Sequence, residues 1–411
     1  MPRSPSSPAF WRSPLRGPWF TSVLGVVLLV GITVLFVTGL VSYAAYNPDL
    51  SPVNDQTPDK GLLGFYLFSW PTDPSWLYRL TQGVHVTLGI VLIPVLLAKL
   101  WSVVPKLFAL PPARSLAHAL ERLSLLLLVG GGLFEFTTGV LNVQLDYLFP
   151  GSFYPLHFYG AWVFFAAFLA HAVLKTPLAL RNLRHLRDET PVGEGELMSP
   201  NPAEPTVSRR GALGVVGGGS LLLLATTAGR SFDGPLRETA VLAPHGGPEP
   251  GGGPGGFQIN KTAAYAGISP TETGEEAWRL VVTGRDGRRV RLARPQLLQL
   301  ALHSSALPIA CVEGWSTSDQ WWRGVRLRDL AALVGHDDPV DVLVESLQRH
   351  GAFRRAALRA NQVADPRSLL ALFVNGEDLT PDHGYPARVI VPAAPGVLNT
   401  KWVARMTFGD L

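Results

Sequence analysis

The feature that most constrains this chain of 411 residues is the uneven placement of its charged residues. Long uncharged apolar runs lie before residue 230, whereas a charged, mixed sequence follows it. The run 17–48 contains no charged residue, and about 20 apolar residues are enough for a helix to cross a bilayer. The sequence therefore predicts a multidomain protein with a membrane-spanning part and a water-exposed part.

Four membrane-spanning helices are predicted in the N-terminal part. They lie within 17–48, at about 80–98, between about 115 and 142, and at about 153–174. Lysine and arginine flank alternate ends of these runs, and such residues are enriched in cytoplasmic loops. The pattern predicts an all-α bundle in contact with membrane lipid, in a multi-pass protein of the cell membrane whose N-terminus is cytoplasmic.

A fifth, anchoring helix is predicted after Arg209 and Arg210. Two interpretations stay open: a twin-arginine export signal that is retained, or the positive flank of an ordinary span. Both place the C-terminal part outside the cytoplasm. The stretch 231–256 is dominated by glycine and proline, which predicts a flexible tether.

Three domains follow from these patterns. They are a transmembrane four-helix domain at 1–187, a segment with a cytoplasmic linker, the fifth helix and the tether at 188–256, and an extracytoplasmic α+β domain at 257–411. The net charge is +4, and no basic stripe with interleaved aromatic residues appears. Nucleic acid is therefore not an expected partner.

Cys311 is the only cysteine of the chain. A disulfide within the chain and a multi-cysteine metal site are therefore excluded. The residue ends an apolar run and precedes a turn with glycine, which predicts a position at the end of a strand. Thiolates bind softer metals, but most free cysteines are small buried hydrophobes. On this residue alone both interpretations stay open.

Two blocks of sequence resemble the sulfite oxidase-type molybdopterin-dependent oxidoreductases. One is Cys311-Val-Glu-Gly-Trp-Ser316, followed by Trp321-Trp322-Arg-Gly324-Val-Arg-Leu327. The other is Asn375-Gly-Glu-Asp-Leu-Thr-Pro-Asp-His383-Gly-Tyr-Pro-Ala-Arg388, followed by Asn399-Thr400-Lys401. The resemblance covers about residues 257–411 and is nearest to the catalytic subunit of the periplasmic methionine-sulfoxide reductase branch.

The resemblance implies an extracytoplasmic enzyme with a molybdenum–molybdopterin cofactor. Cys311 would be the catalytic residue and the ligand of the metal. The residues implied to hold the pterin and its phosphate are Asn260, His383, Arg388, Asn399, Thr400 and Lys401. Arginine offers a rigid fork of donors for phosphate. Taken singly, Arg388 is equally a charge at a strand edge and His383 a turn residue.

Histidines in the predicted spans have the spacing of haem ligands. His85 and His157 lie near the outer ends of the second and fourth spans, and His171 follows His157 by 14 residues. Fourteen residues make about four helical turns, roughly 21 Å, so both rings lie on one face at different depths. The layout resembles bacterial b-type membrane cytochromes, in which imidazoles from facing helices hold haem.

This second resemblance implies one or two haems b. His85 with His157 would bind the outer haem, and His171 with His118 the inner one. If the third span begins near residue 123 rather than 114, His118 lies in water instead. Any of these imidazoles can also be satisfied by a neighbouring carbonyl, and that alternative stays open.

Together the resemblances imply a membrane-anchored oxidoreductase that exchanges electrons between the quinone pool and the molybdenum through haem b. Cys311 is followed by Val312-Glu313-Gly314, with no arginine before Arg323. An acidic group there repels sulfite, which favours reduction of a small-molecule or protein sulfoxide. Two alternatives stay open: a sulfite-type dehydrogenase that passes electrons to quinone, and a membrane-tethered binding domain without metal.

Overall fold

The computed structural model describes residues 4–54, 57, 68–108, 110, 115–143, 153–184, 203–232, 234–246, 251, 253–349 and 353–411. Most of the predicted cytoplasmic linker, up to residue 202, lies outside these ranges. The chain forms two compact units. The first comprises Met1–Val37, Thr87–Asn142 and Leu156–Ala225, and the second Thr38–Val86, Val143–Pro155 and Thr226–Leu411.

Six helices cover most of the apolar part. They are α1 Pro18–Ala44, α2 Leu77–Val91, α3 Ile93–Leu107, α4 Leu116–Asn142, α5 Tyr154–Arg184 and α6 Arg209–Ala225. Within the described residues, four helical stretches are long and apolar enough to cross a membrane: Pro18–Ala44, His118–Asn142, Tyr154–Arg184 and Arg209–Ser231. The pair α2 and α3 makes a fifth if it is one bent span.

The second predicted span is therefore not one straight helix. α2 and α3 meet at an angle of 42°, at a break around Leu92. Pro94 stands in the first turn of α3. A proline has no N–H for the ladder of a preceding helix but is tolerated in a first turn, so it starts α3 and prevents α2 from continuing.

The core of the first unit is an apolar stripe on α1 that packs against α3 and α5. Its four α1 residues recur every fourth position, which places them on one face. The buried members of the cluster are Phe20, Leu24, Leu28, Ile32, Leu92, Val95, Leu96, Phe164 and Phe168.

The second unit contains two five-stranded sheets. The strands of the first are β1 Leu280–Thr283, β2 Arg289–Leu292, β5 Val342–Ser346, β6 Arg355–Leu358 and β10 Val403–Phe408, in the order β2-β1-β10-β5-β6. Those of the second are β3 His303–Leu307, β4 Gln320–Arg326, β7 Leu369–Val374, β8 Glu377–Asp378 and β9 Arg388–Ile390. In the second sheet β3, β4, β7 and β8 are neighbours in that order, and β9 also pairs with β7.

Five short helices connect these strands and the preceding segment. They are α7 Pro235–Glu238, α8 Pro270–Thr273, α9 Arg294–Leu298, α10 Leu327–Ala332 and α11 Ala360–Ala364. Hydrophobic patterning predicts strands at 343–346, 369–374 and 388–391 and short helices at 295–302 and 327–334. The three strands and the second helix are confirmed to within two residues, and the first helix ends earlier, at Leu298. The mixed α and β content of the C-terminal domain is confirmed as well.

The loop between α1 and α2 packs against the C-terminal domain, since both belong to the second unit. Asn47 is fully buried and donates from Nδ2 to the Ala357 carbonyl at 3.1 Å and to Gln362 Oε1 at 2.9 Å. The Trp70 indole N–H donates to the Ala393 carbonyl at 2.7 Å. The C-terminal domain is thereby tied to a segment more than 300 residues earlier in the chain.

Candidate active site

A tight turn carries Cys311. The Cys311 N–H donates to the Trp315 carbonyl at 2.8 Å, and the Gly314 N–H donates to the Cys311 carbonyl at 3.1 Å. Gly314 has φ +84°, a conformation that a residue with a Cβ adopts only with strain. Ala310 forms bridges with Ser316 and with Pro395, so the turn is anchored just beyond β3. The predicted position of the cysteine at the end of a strand agrees with this geometry.

The segment just before the C-terminal domain holds this turn. Ser231 Oγ donates to the Gly314 carbonyl at 2.8 Å, and Arg230 Nε donates to the same oxygen at 3.3 Å. Arg237, which is buried, donates to the Ser316 carbonyl. The prediction of a flexible tether from residue 231 is therefore wrong for its first part. Glycine and proline content cannot reveal that two arginines in the segment bind carbonyls about 80 residues away.

The same contacts bring arginines to the turn, although none follows Cys311 in the sequence before Arg323. Arg230 and Arg237 both reach its backbone from the N-terminal side. A third support comes from α2, where Gln82 Nε2 donates to the Val312 carbonyl. No signal in the local sequence pointed to these partners, because the hydrogen bonds join positions far apart in the chain.

Glu313 is a buried carboxyl beside the cysteine. Its Oε2 accepts a hydrogen bond from the Trp315 indole at 2.8 Å and lies 3.9 Å from His245 Nε2. Burial raises the pKa of Glu313 to about 7, against the lowering effect of the Trp315 bond. Burial, followed by the charge of Glu313, also raises the pKa of the Cys311 thiol. A coordinated metal cation acts in the opposite direction, because it deprotonates a bound thiol.

A cleft opens beside the turn. Ile309 and Trp315 line it from either side of Cys311, which is itself buried and does not line the cleft. The other side carries the sequence-predicted pterin residues Asn260, His383, Arg388, Asn399, Thr400 and Lys401. The two blocks of sequence that carry the resemblance, separated by some 60 residues, therefore meet at one cleft. Asn260 is exposed at its rim.

Arg388 is the most rigidly held residue of the cleft. It donates from Nη1 to the His383 carbonyl at 3.0 Å and from Nη2 to the Asn399 carbonyl at 3.2 Å. Its guanidinium lies 5.1 Å from the centre of the Trp322 ring. Burial lowers the pKa of Arg388 to about 9, so the group is charged at pH 7. A buried positive charge of this kind favours an anionic ligand.

His383 is held by Thr380, whose Oγ1 lies 2.8 Å from Nδ1, and its ring centre lies 3.9 Å from that of Phe257. Burial lowers the pKa of His383 to about 4, with Arg388 and Lys401 acting in the same direction. The imidazole is therefore neutral at pH 7. Lys401 Nζ donates to the carbonyls of Lys261 and of Asp382, the latter at 2.8 Å.

Several buried polar atoms of the cleft have no hydrogen-bond partner among the described residues. They are His383 Nε2, Arg388 Nε, Asn399 Nδ2, Thr400 Oγ1 and both side-chain polar atoms of Gln258. Buried polar groups are almost always paired, so this cluster fits a ligand rich in heteroatoms. A pterin with its phosphate matches that set of polar atoms in hydrogen-bonding capacity and charge. Gln258 was not predicted as a site residue from the sequence, although it lies two residues before Asn260.

Two of the four histidines predicted to bind haem meet a threonine hydroxyl. His85 Nδ1 lies 3.2 Å from Thr38 Oγ1, and His157 Nδ1 lies 2.9 Å from Thr138 Oγ1. His85 belongs to the second unit, whereas His118, His157 and His171 belong to the first. His118 and His171 lie in α4 and α5, as predicted. The roles of all four in haem binding stay predictions. Among the described residues, no group of three or more His, Cys, Asp or Glu side chains forms a metal site.

Comparison with known proteins defines the class of the C-terminal domain. Residues 266–410 match the family described as oxidoreductase molybdopterin binding domain. Together with the relatives below, this match supports an oxidoreductase domain of the sulfite oxidase type with a molybdenum–molybdopterin cofactor.

Individual relatives agree with that class. Uncharacterized oxidoreductase YuiH of Bacillus subtilis (strain 168) is 30% identical over 131 residues, covering 32% of this chain and 65% of the relative. Mitochondrial sulfite oxidase of Mus musculus is 31% identical over 156 residues, covering 32% and 29%. Nitrate reductase (NAD(P)H) of Hordeum vulgare is 38% identical over 94 residues, covering 21% and 10%. The chain spans less than two thirds of the length of each of these relatives.

Proposed function

We propose that this protein is a membrane-anchored molybdopterin-dependent oxidoreductase that reduces a sulfoxide, in the manner of the periplasmic methionine-sulfoxide reductase branch. The observation that carries the proposal is the shared cleft. Residues flanking the only cysteine and residues from the C-terminal block line one cavity that contains several unsatisfied buried donors. A metal ligand and a pterin site need this juxtaposition.

The residues of the chain have distinct tasks in this proposal. Cys311 binds molybdenum, and Arg388 with Lys401 supplies positive charge for the pterin phosphate. Neutral His383, together with Asn399 and Thr400, provides hydrogen bonds to the pterin. When bound, the molybdenum cofactor supplies the oxygen-atom transfer. The protein orients the reactants and excludes water around the buried turn.

Reduction of a neutral sulfoxide is favoured by Glu313. A buried carboxyl two residues from the thiolate ligand disfavours a second anion. Reduction consumes two electrons and two protons and releases water. The electrons would come from the quinone pool through haem b held by His85 with His157, and by His118 with His171. In this proposal the helices lie in a membrane and the C-terminal domain lies outside the cytoplasm, as expected from the positions of lysine and arginine.

A second candidate, a sulfite-type dehydrogenase that passes electrons to quinone, is favoured by Arg230 and Arg237. These two side chains bring positive charge to the backbone of the Cys311 turn. They offset the charge of Glu313 and make an anionic substrate more favourable. One mouse relative is named a sulfite oxidase, in agreement with this candidate.

Turnover of the detergent-purified protein tests the two candidates. We expect reduction of methionine sulfoxide with a chemical electron donor and little oxidation of sulfite with an acceptor. Rapid sulfite oxidation without sulfoxide reduction would reverse the assignment. Absence of molybdenum from the purified protein would favour a tethered binding domain and contradict both candidates.

A further inference from the structure

Two pairs of neighbouring residues repeat the same local structure around the two outer histidines. The pairs are Thr38-Gly39 on α1, next to His85 of α2, and Thr138-Gly139 on α4, next to His157 of α5. In each case the threonine hydroxyl meets Nδ1 of the imidazole, at 3.2 Å and 2.9 Å. The repeat is not evident in the sequence, because the distance along the chain from threonine to histidine differs, 47 against 19 residues.

The glycines lie against the same two rings. A Cβ on Gly39 would approach His85 Cε1 to 3.0 Å, and a Cβ on Gly139 would approach His157 Cε1 to 3.4 Å. Both rings therefore lie directly on the backbone of the neighbouring helix. A methyl group at Gly39 would require the His85 ring to move, whereas a methyl group at Gly139 would make an ordinary van der Waals contact with the His157 ring.

The chemistry of Thr138 fixes the direction of its hydrogen bond to His157. Thr138 Oγ1 lies 2.8 Å from the Phe134 carbonyl and 3.2 Å from the Glu135 carbonyl, and it donates its single proton within its own helix. Its oxygen is then an acceptor for a proton on His157 Nδ1. Glu135 Oε2 lies 3.1 Å from the same nitrogen and is a second acceptor. With its proton on Nδ1, the imidazole has its lone pair on Nε2, which is the form that binds iron.

We infer that each Thr-Gly pair is a positioning site that holds the neighbouring histidine, His85 or His157, in the orientation for axial ligation of haem iron, and that Thr138 also fixes the tautomer of His157. The inference rests on the proposed haem binding and deepens it. It distinguishes His85 and His157, each with its own Thr-Gly pair within one unit, from the other predicted ligands, His118 and His171. The threonines and glycines act through the histidines and do not touch the iron.

The threonine is tested with variants that keep the shape of the side chain. Thr38→Val and Thr138→Val remove the hydroxyl, whereas Thr38→Ser and Thr138→Ser keep it. Thr33→Val is the control, because Thr33 lies on α1 and its hydroxyl bonds only to the Leu29 carbonyl of its own helix, at 2.7 Å, among the contacts described. Loss of a hydrogen-bond partner of a metal-bound histidine weakens metal binding about 10- to 100-fold.

The measurements are the haem content of the full-length protein, the rate of haem release to apomyoglobin, and the midpoint potential of the haem. We expect both valine variants to release haem about 10-fold faster than the wild type. Their midpoint potentials should rise, because a less basic imidazole stabilises ferric iron less. The serine variants and Thr33→Val should match the wild type. Valine variants that behave like Thr33→Val, in a protein that contains haem, would overturn the inference.

Substitution of the glycines provides a second, independent test. Gly39→Ala should shift the electron paramagnetic resonance signal of the ferric haem, because the His85 ring must move. Gly130→Ala lies on α4 where a Cβ meets nothing within 4 Å, and it should leave the signal unchanged. Identical signals in both variants would contradict the role of Gly39. A wild-type protein without haem bands would overturn the proposed electron conduit and this inference with it, while leaving the molybdenum site untouched.

Discussion

The cleft beside the Cys311 turn and the turn itself lie in the same unit but are built differently. The cleft takes most of its polar side chains from two short stretches, 258–261 and 382–401, and several of their atoms are unsatisfied. The turn takes its support from remote segments, with its carbonyls bound by Arg230, Arg237 and Gln82. The difference teaches that the cleft presents unsatisfied polar atoms to a ligand, whereas the turn has its own backbone satisfied and is held still.

The largest effect is expected from Arg388→Met in the cleft. The change removes a buried charge and leaves the carbonyls of His383 and Asn399 without their donor. Hydrogen bonds to charged groups contribute about 1.5–3 kcal/mol each, so we expect molybdenum and pterin content to fall below roughly a tenth of wild type. Elemental analysis and pterin fluorescence of the purified protein measure this.

Arg405→Met is the matched control for Arg388→Met. Arg405 is an exposed arginine on β10 that pairs with Glu345 at 3.4 Å. Surface ion pairs contribute little, so this variant should retain its cofactor. Equal cofactor content in the two variants would contradict the assignment of Arg388 to cofactor binding.

A smaller effect is expected from Arg237→Met, on the side of the Cys311 turn. The Ser316 carbonyl loses its buried donor, which costs about 1–3 kcal/mol. We expect a lower melting temperature and lower turnover, with pterin content near that of wild type. Arg285→Met, at an arginine whose side chain is 58% exposed, is the control. If Arg237→Met lost as much pterin as Arg388→Met, support of the turn and cofactor binding in the cleft would not be independent.

How much the sequence could predict follows from the same comparison. His383, Arg388 and Asn399 were implied by the resemblance, because the block of sequence that carries it is short and contiguous. The strands β5, β7 and β9 were predicted from their apolar runs. Arg230 and Arg237 could not be predicted, because carbonyl partners leave no pattern in side-chain identity. The packing of the loop after α1 on α11 escaped prediction for the same reason.

That packing gives the next prediction. Asn47 has φ +51°, so Asn47→Gly keeps the backbone and removes only the side chain that bonds to Ala357 and Gln362. We expect the free energy of unfolding to fall by about 1–3 kcal/mol. Ala393→Gly, at φ +56°, is the control for backbone freedom. Equal losses in chemical denaturation of the two variants would mean that Asn47 contributes only its backbone.

The smallest effect concerns the pair Asp365 and Arg367. Burial acts to raise the pKa of Asp365, but the hydrogen bonds and charge of Arg367 outweigh it, and the net pKa is lowered. A lowered folded-state pKa gives stability above the unfolded value of about 3.9 that is lost as pH falls through the folded value. Because Arg367 is a third exposed, we expect Arg367→Met to cost less than about 1 kcal/mol at pH 7.

The cost of Arg367→Met should decrease as the pH is lowered from 7 through the folded-state pKa of Asp365, because the carboxylate that Arg367 pairs with is then protonated. Denaturation midpoints of wild type and variant at pH 7 and across the acid range measure this difference. A cost that stays constant with pH would assign the contribution of Arg367 to its contact with the Thr72 carbonyl instead.

The most direct test of the account is X-ray absorption at the molybdenum edge of the purified full-length protein and of Cys311→Ser. The account predicts molybdenum in both proteins, with one sulfur ligand fewer and no turnover in the variant. A wild-type protein without molybdenum, or the same number of sulfur ligands in both proteins, would contradict it.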